Sequence, residues 1–314
     1  SVESKVISIS DGGEGFLDSI SENIDGEFIS CKVFDPIMRY TFSKYFKSNS
    51  LAIIEFSEAC GVQKFNSGER HFINSSSYGV GQLIKNAIDN GCKEIVVGLG
   101  GAATGEAGIG AAQALGVQFI DSNGNELKNK GLSLKDLPKI FSADFVKLKN
   151  KLKDTKFKIV SDVTNPSIGK FGATYTYGPQ KGAKNHHLKK IENYIKNYAL
   201  NVLELKNEFL NMPGTGAAGA FALSMNALFD LKIEPGISFV MDKINFLRVA
   251  SDYDIIITER SVMTDKEVFA QMLYDEGKIS EIEFSIYNKW FNEFISELPK
   301  QYIVYVETIP EIAL

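Results

Sequence analysis

The chain has 314 residues, a formal net charge of −5 and a 44% hydrophobic fraction, enough apolar material for two ordinary domains or one large α/β unit. No apolar run approaches the ~20 residues that span a bilayer, and the acidic balance argues against a general nucleic-acid surface, which needs a basic face. Cys31, Cys60 and Cys92 are widely separated, with no CxxC spacing, so they read as reduced small hydrophobes in a cytoplasmic protein rather than a zinc site or disulfide scaffold.

In chain order, "KVISIS" (5–10) reads as a strand running into the turn "SDGGEG" (10–15). "LAIIEFS" (51–57) and "EIVVGLG" (94–100) are short apolar runs typical of buried strands, and between them "SYGVGQLIKNAIDNG" (77–91) has helical spacing. "LGGAATGEAGIGAAQALG" (99–116) begins as bare backbone and settles into an Ala-rich helix. "DSNGNELKNKG" (121–131) reads as a surface hairpin with Asn123-Gly124 as its tight turn. The lysine-rich stretch 128–158 predicts a solvated helical excursion, and "FKIVSDV" (157–163) a further strand. Helices are expected over "HLKKIENYIKNYALNVLELKNEF" (187–209) and around Gly216–Leu231. "DIIITE" (254–259) and "YIVYVET" (302–308) read as strands of a parallel sheet. Between them, Ser280 and Glu283 suit a capping box, followed by the packing stripe Ile282, Ile286, Trp290 and Phe294. Strands alternating with helices predict an α/β protein whose mostly parallel sheets are flanked by helices.

Four glycine clusters stand out: 10–15, 98–108, 177–183 and 213–220. Glycine lets backbone approach a ligand closely, and a neighbouring helix start offers unpaired N–H groups to an anion. Gly214-Thr215-Gly216-Ala217-Ala218-Gly219 fits GxGxxG but follows Met212-Pro213 rather than a strand, and no GxxxxGK[ST] occurs, so neither a dinucleotide fingerprint nor a P-loop is indicated. Charges beside the glycines suggest roles. Asp11 and Glu14 could position a hydroxyl or bind Mg²⁺, Asp162 ends a strand where α/β sheets hold ligands, and Lys181 could meet a phosphate or carboxylate. Each alone also suits a surface or capping residue.

In these motifs the sequence resembles the bacterial-type glycerate kinase family. The matching segments are "SDGGEGFLDSI", "EACGV", the run from "NSSSYGVGQLIKNAIDNG" through "GLGGAATGEAGIGAAQALG" to "DSNGNEL", "SDVTNPSIGKFGATYTYGPQKGA" and "PGTGAAGAFALSMNALFDLKIEPGISFV", in order over about residues 6–257. The resemblance implies transfer of the γ-phosphoryl of ATP, with Mg²⁺, to a hydroxyl of D-glycerate. It also implies two α/β domains with the site between them. Carried over residue by residue, Asp11, Gly12, Gly13 and Glu14 line the cleft, and Gly100, Gly101 and Thr104 mark the second glycine loop. Asp162, Asn165, Gln180 and Lys181 are the further polar candidates, with Gly214 and Gly216 on the phosphate side. Asp11, Glu14, Asp162 and Lys181 are the expected catalytic residues. Gly105-Glu106 stands where the family has an Asn-Asp pair.

The family's opening strand with its Asp/Lys loop would precede Ser1, and its C-terminal acidic loop is replaced after "DIIIT". Both ends thus read as cut, and the implied activity is an impaired one. The replacing segment, 259–314, resembles the middle of a deoxynucleoside kinase, whose Glu-Arg-Ser motif falls on Glu259 and Arg260, which would place Arg260 near the 5′-hydroxyl and the phosphates and Glu311 at the sugar 3′-hydroxyl. The expected domains are a Rossmann-like unit of 1–32 plus 247–314 and an inserted glycerate-kinase unit of 33–246. Deoxynucleoside phosphorylation and a non-catalytic remnant stay open as alternatives, and the oligomeric state is undetermined.

Overall fold

The computed structural model describes residues 5, 7, 8, 10, 12, 13, 15–66, 71–253, 255–258 and 302–305. Two compact units divide at Ile244 and Asn245. The first runs α1 (Phe16–Ser21), β1 (Glu27–Phe34), β2 (Tyr40–Ser48), β3 (Leu51–Glu55), α2 (Phe56–Cys60), α3 (Tyr78–Asp89), β4 (Glu94–Gly98), α4 (Ile109–Leu115), β5 (Gln118–Ile120), β6 (Ser142–Asp144), α5 (Val146–Leu152) and β7 (Lys156–Val160). It continues with α6 (Ala173–Tyr177), α7 (Asn185–Asn197), α8 (Asn207–Leu210), α9 (Ala217–Ala220), α10 (Ala222–Leu228), β8 (Leu231–Glu234) and α11 (Gly236–Lys243). The second holds α12 (Phe246–Ser251) and the strands β9 (Ile255–Thr258) and β10 (Tyr302–Tyr305). These two pair in parallel, as expected, with Tyr302 opposite Ile255.

The main sheet has the order β1-β2-β3-β4-β7-β8. Its last four strands are parallel, and β1 and β2 join as an antiparallel flank. Ile53, Ile54, Ile95, Val96, Val97 and Ile159 have no solvent exposure. Covered on both faces, these central strands must be apolar without interruption, which is why β3, β4 and β7 stand out in the sequence. Lys158 on β7 bridges Glu94 on β4 (3.6 Å) and Glu234 on β8 (3.3 Å), a cross-strand row on the parallel strands.

Several expectations need correction. β1 and β2 are absent from the sequence reading because their apolar residues alternate and part of that set faces water, Tyr40 and Phe42 being 67% and 72% exposed. Lysine ammonium groups cover some of this face: Lys32 lies 4.2 Å from the Tyr40 ring centre and Lys44 4.2 Å from that of Phe28. The turn between the two strands is organised by Asp35, whose carboxylate accepts the N–H groups of Ile37 and Arg39. Segment 128–158 is not one helix but a 3-10 turn (Leu134–Lys139), β6, α5 and the start of β7. The helix expected around Gly216–Leu231 breaks between α9 and α10, where Ala218 and Gly219 adopt left-handed backbone. At 121–125 the hairpin turns through a wider loop. Gly124 alone is left-handed there, and the Asp121 carboxylate accepts the N–H groups of Asn123 and Asn125. The described part of 5–10 forms no strand, and the rest lies outside the described residues, as do the Ser280–Phe294 capping box and stripe. The three cysteines are free thiols, and no described helix is long and apolar enough to cross a membrane.

The 3-10 turn carries a testable cap. Ser133 and Asp136 form a reciprocal capping box over buried Leu134 and Leu137. Ser133→Ala is expected to cost about 1 kcal/mol in urea unfolding; an unchanged midpoint would show that the box adds nothing.

Candidate functional site

A parallel strand delivers its ligand contacts where its carboxyl end opens into a loop. β3, β4 and β7 end side by side, and beyond their ends lies a cavity of about 620 Å³. Val62, Phe65 and Asn66 enter its wall from the segment after β3 and α2, Leu99 to Ala103 from the loop after β4, and Ser161 and Val163 from the loop after β7. Tyr177, Gln180 and Lys181 close it from the end of α6, and Ala217 and Ala218 from α9.

The β4 loop is fixed by backbone packing. Gly100 donates its N–H to the Gly12 carbonyl (3.2 Å), and a Cβ on Gly100 would lie 2.2 Å from the Gly13 Cα. Two of the glycine clusters therefore meet, and Gly98 and Gly100 are bare because the backbone of Gly12 and Gly13 occupies their side-chain space. Gly101, left-handed at φ 66°, and Ala102 line the cavity with amides that donate to no partner among the described residues. Ala218 holds a left-handed backbone at φ 49°, and in the wall of a cavity such a non-glycine conformation marks a segment held under strain by its surroundings.

Lys181 supplies the cation. Its Nζ donates to the Thr104 carbonyl at 2.8 Å. Burial pulls its pKa down to about 8, with the Glu106 charge pushing the other way, so the side chain is an ammonium at neutral pH. Next to it, the Tyr177 hydroxyl donates to Asn165 Oδ1 (2.5 Å), while Asn165 Nδ2 donates to the Phe171 carbonyl (2.8 Å). Burial raises the Tyr177 pKa, so the phenol stays neutral and fixes the amide.

The expected site residues divide accordingly. Gly100, Gly101, Gln180 and Lys181 share the cavity wall. Gly12 and Gly13 buttress it from behind, Thr104 anchors Lys181, and Asn165 sits one hydrogen bond behind Tyr177. Asp162 does not line the cavity; its carboxylate accepts the Gly236 N–H (2.8 Å) at the start of α11. Gly214 and Gly216 are likewise outside the wall, and a Cβ on Gly216 would lie 2.2 Å from the Pro166 carbonyl oxygen. Asp11, Glu14, Glu259, Arg260 and Glu311 lie outside the described residues. The sequence reading missed Val62, Phe65, Ser161, Val163 and Tyr177. Their common signal is position, just after the apolar strands or at the end of a short helix, rather than residue type.

The glycerate kinase family model matches residues 1–266. The chain belongs to the glycerate kinase family. That makes it a kinase, a phosphotransferase with small-molecule substrates. The glycerate kinase of Halalkalibacterium halodurans is 34% identical over 271 residues, covering 85% of this chain and 70% of that protein. The glycerate 2-kinase of Escherichia coli K12 is 32% identical, over 80% of this chain and 66% of the relative. A crystal structure assigned as glycerate kinase 2 from Salmonella typhimurium LT2 superposes with a TM-score of 0.74 at 30% identity, covering 81% of this chain and 68% of that one. This glycerate kinase family chain also matches the deoxynucleoside kinase family model over residues 233–314.

Mg²⁺ tests the donor set. The described lining residues include no carboxylate, and no cluster of three potential metal-binding side chains occurs among the described residues. The described wall suits an anion rather than a bare cation.

Proposed function

We propose that this chain transfers the γ-phosphoryl group of ATP to a hydroxyl of D-glycerate in the cytoplasm, with Mg²⁺ travelling on the nucleotide. The observation that carries this reading is the Lys181 ammonium, held by the Thr104 carbonyl, sharing one cavity wall with the Gly101 and Ala102 amides that have no partner among the described residues, within a family of glycerate kinases. Phosphoryl transfer asks a protein for positioning and charge neutralisation more than for covalent chemistry. Lys181 neutralises an anionic oxygen of the nucleotide or the acid, the Gly101 and Ala102 amides donate to it, and the Tyr177–Asn165 pair shapes the adjoining wall. Asp11 and Glu14 are assigned to the acceptor hydroxyl, Asp162 and Gln180 to support of the wall, and Gly12, Gly13, Gly214 and Gly216 to keeping the loops in place.

The test is turnover by the purified chain with ATP, Mg²⁺ and D-glycerate, read as ADP release together with phosphorus NMR of the product, which also identifies the hydroxyl phosphorylated. Phosphoglycerate formation is expected; glycerate-independent ADP release with no phosphoglycerate overturns the reading. The match over residues 233–314 favours one alternative, deoxynucleoside phosphorylation through Glu259, Arg260 and Glu311. Thermal shift separates the two: protection by glycerate supports the first, and protection by deoxynucleosides alone supports the second.

A further inference from the structure

The turn between β1 and β2 is bonded to the cavity wall through one side chain, that of Arg39. Asp35 and Arg39 close the turn, the Asp35 N–H donating to the Arg39 carbonyl at 2.8 Å and the Met38 N–H to the Asp35 carbonyl at 3.1 Å. The Asp35 carboxylate is buried. Its Oδ1 accepts the Ile37 and Arg39 N–H groups, and its Oδ2 accepts Arg39 Nε at 2.5 Å. Because a guanidinium is planar, holding Nε in this way also aims its outer nitrogens. Nη2 donates to the Lys64 carbonyl at 2.7 Å.

Lys64 ends a 3-10 turn, Val62–Lys64, that leads from α2 into Phe65 and Asn66. Val62, Phe65 and Asn66 line the cavity. The start of this segment is sewn to the β4 loop: Val62 N–H donates to the Gly101 carbonyl, and Ala103 N–H to the Cys60 carbonyl, both at 2.9 Å. At its far end the Lys64 and Phe65 amides bond back within the turn, to the Gly61 and Val62 carbonyls. The Arg39 bond reaches that end from outside the turn.

Resting on the phosphoryl-transfer reading, we infer that Arg39 is a positioning residue: anchored by Asp35, it holds the Lys64 carbonyl and so keeps Val62, Phe65 and Asn66 in the cavity wall. Those three side chains carry no charge to set against the transferred phosphoryl group. Their placement therefore acts on how firmly a ligand is held, by sparing the ligand the cost of ordering the wall, rather than on the chemical step.

Arg39→Ala is expected to raise KM for ATP or for glycerate about 5–10-fold, with kcat within about twofold of the parent. Little change in melting temperature should accompany it, since the arginine side chain is 43% exposed and an exposed ion pair adds little stability. Tyr40→Ser is the structural control. It removes the ring stacked on Phe34 at 4.4 Å beside the same turn, while the Asp35, Arg39 and Lys64 groups remain, and both KM values are expected to stay at the parent's. Unchanged KM values in Arg39→Ala, a fall in kcat alone, or an equal KM rise in Tyr40→Ser overturns the inference. An Arg39→Ala chain that does not fold assigns the arginine to stability and overturns it as well. A second readout needs no turnover. In amide hydrogen exchange of the free protein, peptides covering 61–66 are expected to exchange several-fold faster in Arg39→Ala, with those covering β3 and β4 unchanged. Parent-like exchange at 61–66 refutes the tie. A chain without kinase turnover would fail the proposed function and leave this exchange comparison standing.

Discussion

Lys181→Met is expected to lower kcat/KM by about 10²–10³-fold while leaving the melting temperature unchanged or higher. Activity falls because a neutral thioether cannot neutralise phosphate charge in a cavity that offers one described cation. Stability does not fall with it, because the lysine is desolvated: its pKa of about 8 lies below the ordinary 10.5. The sign follows by linkage. Between those two values the unfolded chain binds the proton that the folded chain has released, so the parent gains stability as pH rises through that window. Below about pH 8 the cost of burying the ammonium is fully present, roughly 3 kcal/mol at most. The stability advantage of the Met variant is therefore widest at neutral pH and closes by about pH 10.5. Calorimetry at several pH values and steady-state kinetics check both halves. A variant within threefold of the parent in kcat/KM, or one that melts lower at neutral pH and stays lower at alkaline pH, refutes the assignment.

Gly219→Ala is expected to cost more than ~3 kcal/mol, enough to unfold much of the population at physiological temperature. Two effects add. Gly219 has φ 69°, where an L-residue is strained by roughly 1 kcal/mol. Its missing Cβ would lie 2.3 Å from the Gly105 Cα and 2.6 Å from the Thr104 carbonyl oxygen, both backbone atoms with no rotamer to yield. The carbonyl that would be displaced is the one holding Lys181, so the molecules that remain folded lose turnover as well. Gly124→Ala is the control: Gly124 has φ 81° with nothing within 4 Å of a built Cβ, so strain acts there alone. Similar melting losses at the two positions would show that the close approach at Gly219 has no energetic weight.

The parallel strands were legible because burial on both faces leaves a sequence no choice but unbroken runs such as Ile95-Val96-Val97. The antiparallel flank was not, since Phe42 and Tyr40 are spent on an exposed face where lysines rather than a core cover part of the surface. The glycine clusters were visible, but composition could not tell close chain packing from ligand approach. Gly101 faces the cavity, whereas Gly216 and Gly219 are bare because backbone already fills their side-chain space. Lys181 was found as a charge beside glycines. Asp162, chosen by the same logic, turns to the Gly236 amide, because a helix start just beyond the neighbouring strand offers it a donor. Tyr177 carried no signal, its role being to hold an amide rather than to bear charge.

Every described residue in the cavity wall lies between Val62 and Ala218, upstream of position 233, where similarity to the second kinase family begins. The described cavity wall is thus carried by one continuous stretch of the sequence. Genetic exchange downstream of it can bring in a foreign segment without altering a single one of those codons, so inheritance of the wall and inheritance of the tail are separable events.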